Sequence, residues 1–307
     1  MTYSIIIPHY NTPQLLERCL GSIPDCEDIQ VIVVDDNSNS QIVDFSKFPS
    51  LNRSNTITLF TKEGKGAGYA RNIALQQAKG EWLLFADADD YFLPNAFNLI
   101  RKYKDSEADI VYFHSKSCFS DTGLPADRNI QHEQLFAQYD KNNTHSVKYL
   151  KYNYLEPWGK LIKRQLVVEH SIRFDEVMHA NDVMFSTKTA FYADKIEVSD
   201  DPIYCITVAP GSLVHIRSLE SRRQRYEVML RTNLFLRENG EKQYEHSIMY
   251  SLRIAASYGI KPLWEFIQLG RKYNARFFVG ASHWFKNALF HLFHNEDKDK
   301  KKYLKNE

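Results

Sequence analysis

Three carboxylates fall within four positions in Phe85-Ala86-Asp87-Ala88-Asp89-Asp90, directly after an apolar run. Like charges that close raise one another's pKa unless a cation neutralises them. Mg2+-type sites are commonly built from one or two carboxylates completed by substrate phosphate oxygens. The cluster therefore suits a divalent cation that holds a phosphate-bearing ligand; the alternative is a solvated acidic turn ahead of a helix beginning near Pro94. A second acidic pair, in Asp35-Asp36-Asn37-Ser38, ends another β-branched run. Alone it reads as a turn with an N-cap. Two acidic pairs on one sheet edge, beside Pro8-His9-Tyr10-Asn11 at the end of the first run, read as the rim of a pocket. Ligands of open α/β sheets bind beyond the carboxyl ends of the strands.

The elements that must place these groups alternate short apolar runs with helical patterns over residues 3–110, the pattern of a parallel sheet covered by helices. Strands are expected at 3–8, 30–34, 56–60, 81–86 and 109–113, and helices at 68–78 and 94–103. Thr12-Pro13 reads as an N-cap followed by proline at the first helical position, with Leu15, Leu16, Cys19 and Leu20 as the apolar face. Residues 116–143 are polar and aperiodic and read as a long functional loop. Regular structure returns at 157–164, 182–193, 195–198 and 203–208, and the pattern is helical from Ser218 onward. A domain boundary is expected near 217, giving an α/β domain over 1–217 and a helical extension over 218–307 with a basic amphipathic tail.

With 307 residues and 43% hydrophobic content, the chain can bury one sizeable α/β core plus an appendage. Cys19, Cys26, Cys118 and Cys205 show no Cys-x-x-Cys spacing, so reduced thiols of a cytosolic protein are expected. No basic segment leads into an apolar run at the start, and no apolar stretch reaches ~18 residues, so neither a signal peptide nor a membrane span is expected. The net charge of +1 conceals an asymmetry: 218–307 carries 17 basic against 10 acidic residues, and 1–217 carries 22 against 28. An acidic front argues against nucleic acid as a partner. The basic tail is compatible with an anionic membrane surface.

Taken in order, Ile6-Ile7-Pro8-His9-Tyr10-Asn11, Val33-Val34-Asp35-Asp36-Asn37-Ser38, Ala70-Arg71-Asn72 and Phe85-Ala86-Asp87-Ala88-Asp89-Asp90 resemble the successive motifs of family 2 glycosyltransferases over residues 1–95. Trp158-Gly159-Lys160-Leu161 followed by Arg164 extends the resemblance through residue 205. It implies the GT-A fold, a Rossmann-like and mostly parallel sheet flanked by helices. It also implies an inverting, metal-dependent enzyme of the bacterial polysaccharide or glycoconjugate type. Such an enzyme moves a sugar from a nucleotide-sugar donor, a UDP-sugar here, to a saccharide or lipid-linked acceptor.

By the same resemblance Pro8 and Tyr10 line the nucleobase pocket, and Asp35 or Asp36 hydrogen-bonds the base. Asp87, with Ala88 beside it, faces the donor's ribose and the metal, and Asp89 is the principal ligand of Mn2+ or Mg2+. Arg71 lies near the acidic loop or the diphosphate, or else forms a structural ion pair with Asp87. In His179-Ala180-Asn181-Asp182-Val183-Met184-Phe185, Asp182 matches the family's catalytic base, while Asn181 replaces its usual Glu and, with Trp158, falls on the acceptor side. The alternative for Asp182 is a helix cap. Ser212 and His215 match a segment that closes over the donor. Gly64-Lys65-Gly66-Ala67-Gly68 fits neither the dinucleotide fingerprint nor the Walker loop and reads as a turn into a helix N-terminus. Residues 276–293, dense in aromatics with a lysine-rich end, read either as an interfacial helix on the inner face of the cytoplasmic membrane or as a helix packed on the protein.

Two rival readings remain. A sugar nucleotidyltransferase needs a Gly-rich basic loop immediately after the first strand, which Pro8-His9-Tyr10-Asn11 does not supply. A catalytically silent subunit of a synthase complex has no need of intact Asp87, Asp89 and Asp182.

Overall fold

The computed structural model describes residues 1–208, 218–277 and Val279. The chain divides into two compact units, Met1–Arg217 and Ser218–Glu307. In the first, an eight-stranded sheet has the order β3-β2-β1-β4-β7-β6-β8-β5. Its strands are β1 (Tyr3–His9), β2 (Ile29–Asp36), β3 (Thr56–Thr61), β4 (Trp82–Phe85), β5 (Tyr91–Phe92), β6 (Ile110–Phe119), β7 (Lys160–Lys163) and β8 (Ile196–Val208). Helices α1 (Pro13–Gly21), α2 (Ala67–Gln77), α3 (Ala96–Arg101), α4 (Ile130–Ala137), α5 (Thr144–Asn153), α6 (Arg164–Glu169) and α7 (Val183–Tyr192) connect and cover them. The second unit holds α8 (Leu219–Glu238), α9 (Met249–Ser257) and α10 (Ile260–Lys272), packed around Tyr226, Leu230 and Phe266. No helix among the described residues is long and apolar enough to cross a membrane.

β1 and β2 are buried at every position, as their β-branched runs require of parallel strands covered on both faces. β3, β2, β1 and β4 pair in parallel, whereas β7 runs antiparallel to both β4 and β6, so the sheet is mixed. β2 and β4 flank β1 on opposite sides, and the chain reverses its direction of travel across the sheet at β1. The carboxyl ends of these three strands share one rim at the switch point, where ligands of open sheets bind.

Three expectations are corrected. Residues 116–143 are not one loop: β6 continues to Phe119 along β8, and α4 lies within the stretch. Its Ser115-Lys116-Ser117-Cys118 run carries no apolar alternation, and backbone pairing with β8 overrides that weak local signal. The segments 195–198 and 203–208 are one strand whose register shifts opposite His114, which is where Pro202 is accommodated. Helices α5 and α6 also form where no element was expected; Asn143 caps α5 by accepting from His145 N and Ser146 N. No disulfide forms among the described residues, yet the buried Cys118 and Cys205 sulfurs on neighbouring strands lie 3.4 Å apart.

The packing that positions the rim centres on α2. Phe85, at the end of β4, meets Phe174 and Phe185 at 5.2 and 5.3 Å, and those two rings stack at 3.9 Å. Asn72 clasps the Phe174 backbone from both sides, donating to its carbonyl at 3.0 Å and accepting from its N–H at 2.9 Å. Gly68 allows the helix to approach this segment: a Cβ there would lie 2.0 Å from Asp175 O and 2.9 Å from the Asn181 Cβ. Gly68→Ala is therefore expected to destabilise the chain by about 1–3 kcal/mol, the usual range for overpacking. Urea unfolding checks this, and a wild-type midpoint would contradict the close approach.

Candidate functional site at the sheet rim

The first two strands are locked together at the rim by a buried histidine. His9 is 2% exposed; its Nε2 accepts from Thr12 N at 3.1 Å, so Nδ1 carries the hydrogen donated to Asp35 Oδ2 at 2.7 Å. Ser38 donates to Asp35 through both its backbone N–H (3.0 Å) and its hydroxyl (2.5 Å). Burial opposes the Asp35 charge, but these hydrogen bonds hold its pKa below the ordinary carboxylate value. Asp36 accepts from Thr61 Oγ1 at 3.0 Å and from Gly66 N at 2.6 Å. Gly66 has a φ of +92° and is the N-cap of α2, so the glycine run is the turn its spacing indicated.

These bonds bear on the expectation that Asp35 or Asp36 meets a nucleobase. Asp35, 1% exposed with three donors on it, and Asp36, 5% exposed with a donor on each oxygen, are both held by the protein's own groups. Pro8 is buried within β1, so it does not form an open wall; Tyr10, 60% exposed, stands at the lip of the rim.

Just beyond β4, carboxylate oxygens of Asp87, Asp89 and Asp90 lie within 4.8 Å of one another. Burial, then the charge of Asp87, raises the Asp89 pKa. Burial, then the charges of Asp89 and Asp87, pushes Asp90 well above the ordinary value. Such a cluster either retains a proton or takes up a cation, and an all-oxygen donor set suits a hard ion such as Mg2+ or Mn2+. Asp90 was not singled out as a ligand in the sequence, although it stands in the same run. It is 3% exposed, accepts from Thr207 N at 2.7 Å and is hydrogen-bonded by Tyr204. The Tyr204 hydroxyl also accepts from Asp87 N at 2.9 Å.

Arg71 is 4% exposed and bridges two loops, with Nη2 on Asp87 Oδ1 at 2.5 Å and Nη1 on Asn181 Oδ1 at 2.8 Å. Of its two sequence readings, the ion pair with Asp87 is realised. The Asn181 amide oxygen thus serves as a neutral acceptor on the arginine's other arm. Asp182 occupies the N-cap position of α7, yet its side chain makes no cap hydrogen bond, so the capping alternative is not realised. Burial raises its pKa to about 6, against the pull of Arg71 and with the charges of Glu156 and Asp87 adding to the rise.

Around Asp182 lie groups of which sequence reasoning gave a role only to Trp158. Lys160, 1% exposed, donates to Tyr154 O at 2.6 Å, and burial lowers its pKa to about 7 against the pull of Glu156 and Asp182. Glu156 pairs with His132 Nε2 at 2.9 Å. Trp158 is 5% exposed and stacks on Tyr204 at 5.5 Å, which connects this side to the acidic loop. The Trp158–Leu161 block was the only signal that pointed here, and a lone Glu or His gave none. Ser212, His215 and the stretch from 280 onward, where the interfacial helix was expected, lie outside the described residues.

Comparison with known proteins places this geometry. The sequence model of Glycosyl transferase family 2 matches residues 4–167, more than half of the chain. The chain is 26% identical over 218 residues to the putative glycosyltransferase EpsH of Bacillus subtilis, covering 69% of this chain and 62% of EpsH. It is 31% identical over 215 residues to the poly(ribitol-phosphate) beta-glucosyltransferase of Bacillus spizizenii, covering 66% of this chain and 32% of that one. It thus spans less than two thirds of the length of these relatives. Among solved structures it resembles TarS of S. aureus in complex with UDP-GlcNAc, with a TM-score of 0.64 and 24% identity over 88% of this chain and 81% of that one. It also resembles a mannosyltransferase of Pyrobaculum calidifontis in complex with GDP-Man and Mn2+, with a TM-score of 0.55 and 17% identity over 96% and 87% of the two chains. The fold is GT-A, and the chain belongs to glycosyl transferase family 2.

Proposed function

We propose that this chain is an inverting glycosyltransferase that moves a sugar from a nucleotide-sugar, most simply a UDP-sugar, to a hydroxyl of a saccharide or lipid-linked acceptor in cell-surface polymer synthesis. The observation that carries the reading is Arg71, which holds the acidic triplet and the Asn181–Asp182 loop against one another. A carboxylate cluster suited to a phosphate-bound metal and a carboxyl of raised pKa in one site are what direct displacement needs. The likeness to TarS bound to UDP-GlcNAc supports the donor class, and the likeness to a Mn2+-containing mannosyltransferase supports the metal. The poly(ribitol-phosphate) transferases among the relatives support a surface polymer.

Tyr10, with Asp35 or Asp36, holds the nucleobase. Asp89, with Asp87 and Asp90, holds a divalent cation, which when bound neutralises the charge developing on the diphosphate leaving group. The Asp182 carboxylate takes the proton of the acceptor hydroxyl as that oxygen bonds the anomeric carbon. The bond from that carbon to the diphosphate oxygen breaks, and the nucleoside diphosphate leaves. The surrounding site contributes orientation, keeping the three reacting atoms nearly in line. Residues 1–217 form the catalytic domain. The basic excess of 218–307 supports a peripheral contact with the inner face of the cytoplasmic membrane.

Thermal stabilisation by UDP-, GDP- and dTDP-sugars with Mn2+ identifies the donor, because a ligand of the folded state raises stability by mass action. Asp89→Ala is expected to abolish the Mn2+-dependent part of that stabilisation. Asp182→Asn is expected to lower kcat about 10²–10⁴-fold, the usual worth of a general base, while leaving UDP affinity unchanged. Wild-type turnover by this variant would remove Asp182 from the mechanism. The active form of Asp182 is the deprotonated one and its pKa is raised to about 6, so kcat should fall as pH drops through about 6 and level off above it. A flat profile between pH 5 and 7 contradicts this assignment.

A further inference from the structure

The acidic loop is shaped from behind by a residue that no motif marks. Arg18, on α1, reaches across 71 positions of sequence to donate from Nη2 to the main-chain carbonyl of Asp89 at 2.5 Å. The same nitrogen donates to Thr207 Oγ1 at 3.4 Å, and the Thr207 hydroxyl donates to the same Asp89 carbonyl at 2.6 Å. Nη1 is anchored on Ser120, at 3.4 Å to its carbonyl and 3.2 Å to its hydroxyl. The guanidinium also lies 5.3 Å from the ring centroid of Tyr91, the residue after the triplet. One side chain thus ties α1 and the ends of β6 and β8 to the loop, and an arginine and a threonine converge on a single carbonyl.

That carbonyl is a sensitive point. The peptide group is planar, so fixing Asp89 O fixes the plane between Asp89 and Asp90 and hence where both side chains start. Thr207 N on Asp90 Oδ1 adds a third restraint from the same strand. The arrangement also answers an electrostatic difficulty: three carboxylates gathered within 4.8 Å repel when no cation separates them. A loop held open in this way spends less free energy on rearrangement when the cation arrives.

We infer that Arg18 is a positioning residue which, with Thr207, preforms the acidic loop for its divalent cation; this rests on the donor-site reading above. Arg53 provides an internal contrast. It donates to the carbonyls of Leu20 and Ile23 at 2.8 Å each, holding the end of α1, and bonds none of the site residues.

The experiment uses the full chain with Mn2+ as probe, reading free Mn2+ by electron paramagnetic resonance and UDP affinity by calorimetry in Mn2+ and in EDTA. Arg18→Met and, independently, Thr207→Val should weaken Mn2+ binding about 10-fold or more, the usual effect of removing a residue that orients metal ligands. UDP affinity in EDTA should stay at the wild-type value. Arg18→Lys should recover part of the loss, since an ammonium still reaches one carbonyl. Arg53→Met should lower the melting temperature yet keep Mn2+ affinity. Wild-type Mn2+ affinity in both Arg18→Met and Thr207→Val overturns the inference, and so does an equal loss in Arg53→Met. A wild-type chain that binds no Mn2+ overturns the donor-site reading itself, and the inference with it.

Discussion

The site depends on one buried guanidinium. Arg71 is 4% exposed, and a charge so far out of water is costly unless an opposite charge and hydrogen bonds offset it. Asp87 and Asn181 take its two Nη groups from two loops more than ninety residues apart in sequence, while its buried Nε has no hydrogen-bond partner among the described residues. The two loops therefore cannot drift separately without leaving a charge unpaired in a low-dielectric setting, which is far costlier than losing a surface ion pair. Asn72, the next residue on α2, adds the two-way clasp on Phe174, and Gly68 lets the helix come close enough for both. The Ala70-Arg71-Asn72 block is thus the hinge pin between the acidic loop and Asp182.

The other half of the rim is preformed by hydrogen bonds to the buried Asp35 carboxylate. His9 in its Nδ1–H form satisfies Asp35 and Thr12 N together, and Ser38 closes the remaining acceptors. Asn11 and Asn37, at φ of 55° and 64°, make the turns that bring these groups together, a conformation asparagine tolerates better than most residues. A rim shaped by internal bonds of this kind is ready for a ligand before one arrives.

Much of this was legible in the sequence because the relevant signals are local. β1, β2 and β4 are apolar runs followed by polar blocks, which gave the rim and the acidic loop, whereas Asp182 was singled out only through the resemblance of the 179–185 block to the family. What was not legible rests on long-range pairing. Arg18 meets Asp89, and Thr207 meets Asp90, only because β8 and α1 fold against the loop. Asp35 and Asp36 end the same run, and only the fold shows that His9 and Ser38 engage the first while Thr61 and Gly66 engage the second. The polar half of β6 gave no strand pattern, since its order comes from the backbone of β8. Pairs such as His132 with Glu156 consist of residues common on any surface, and only the fold brings them together.

The central claim is that Asp87, Asp89 and Asp90 hold a divalent cation against the donor's diphosphate. Crystals grown with Mn2+ and UDP test it directly by anomalous diffraction at the manganese edge. The account predicts an anomalous peak in bonding contact with carboxylate oxygens of this triplet and with a phosphate oxygen of UDP. A peak elsewhere, or UDP bound with no metal at those carboxylates, would contradict it.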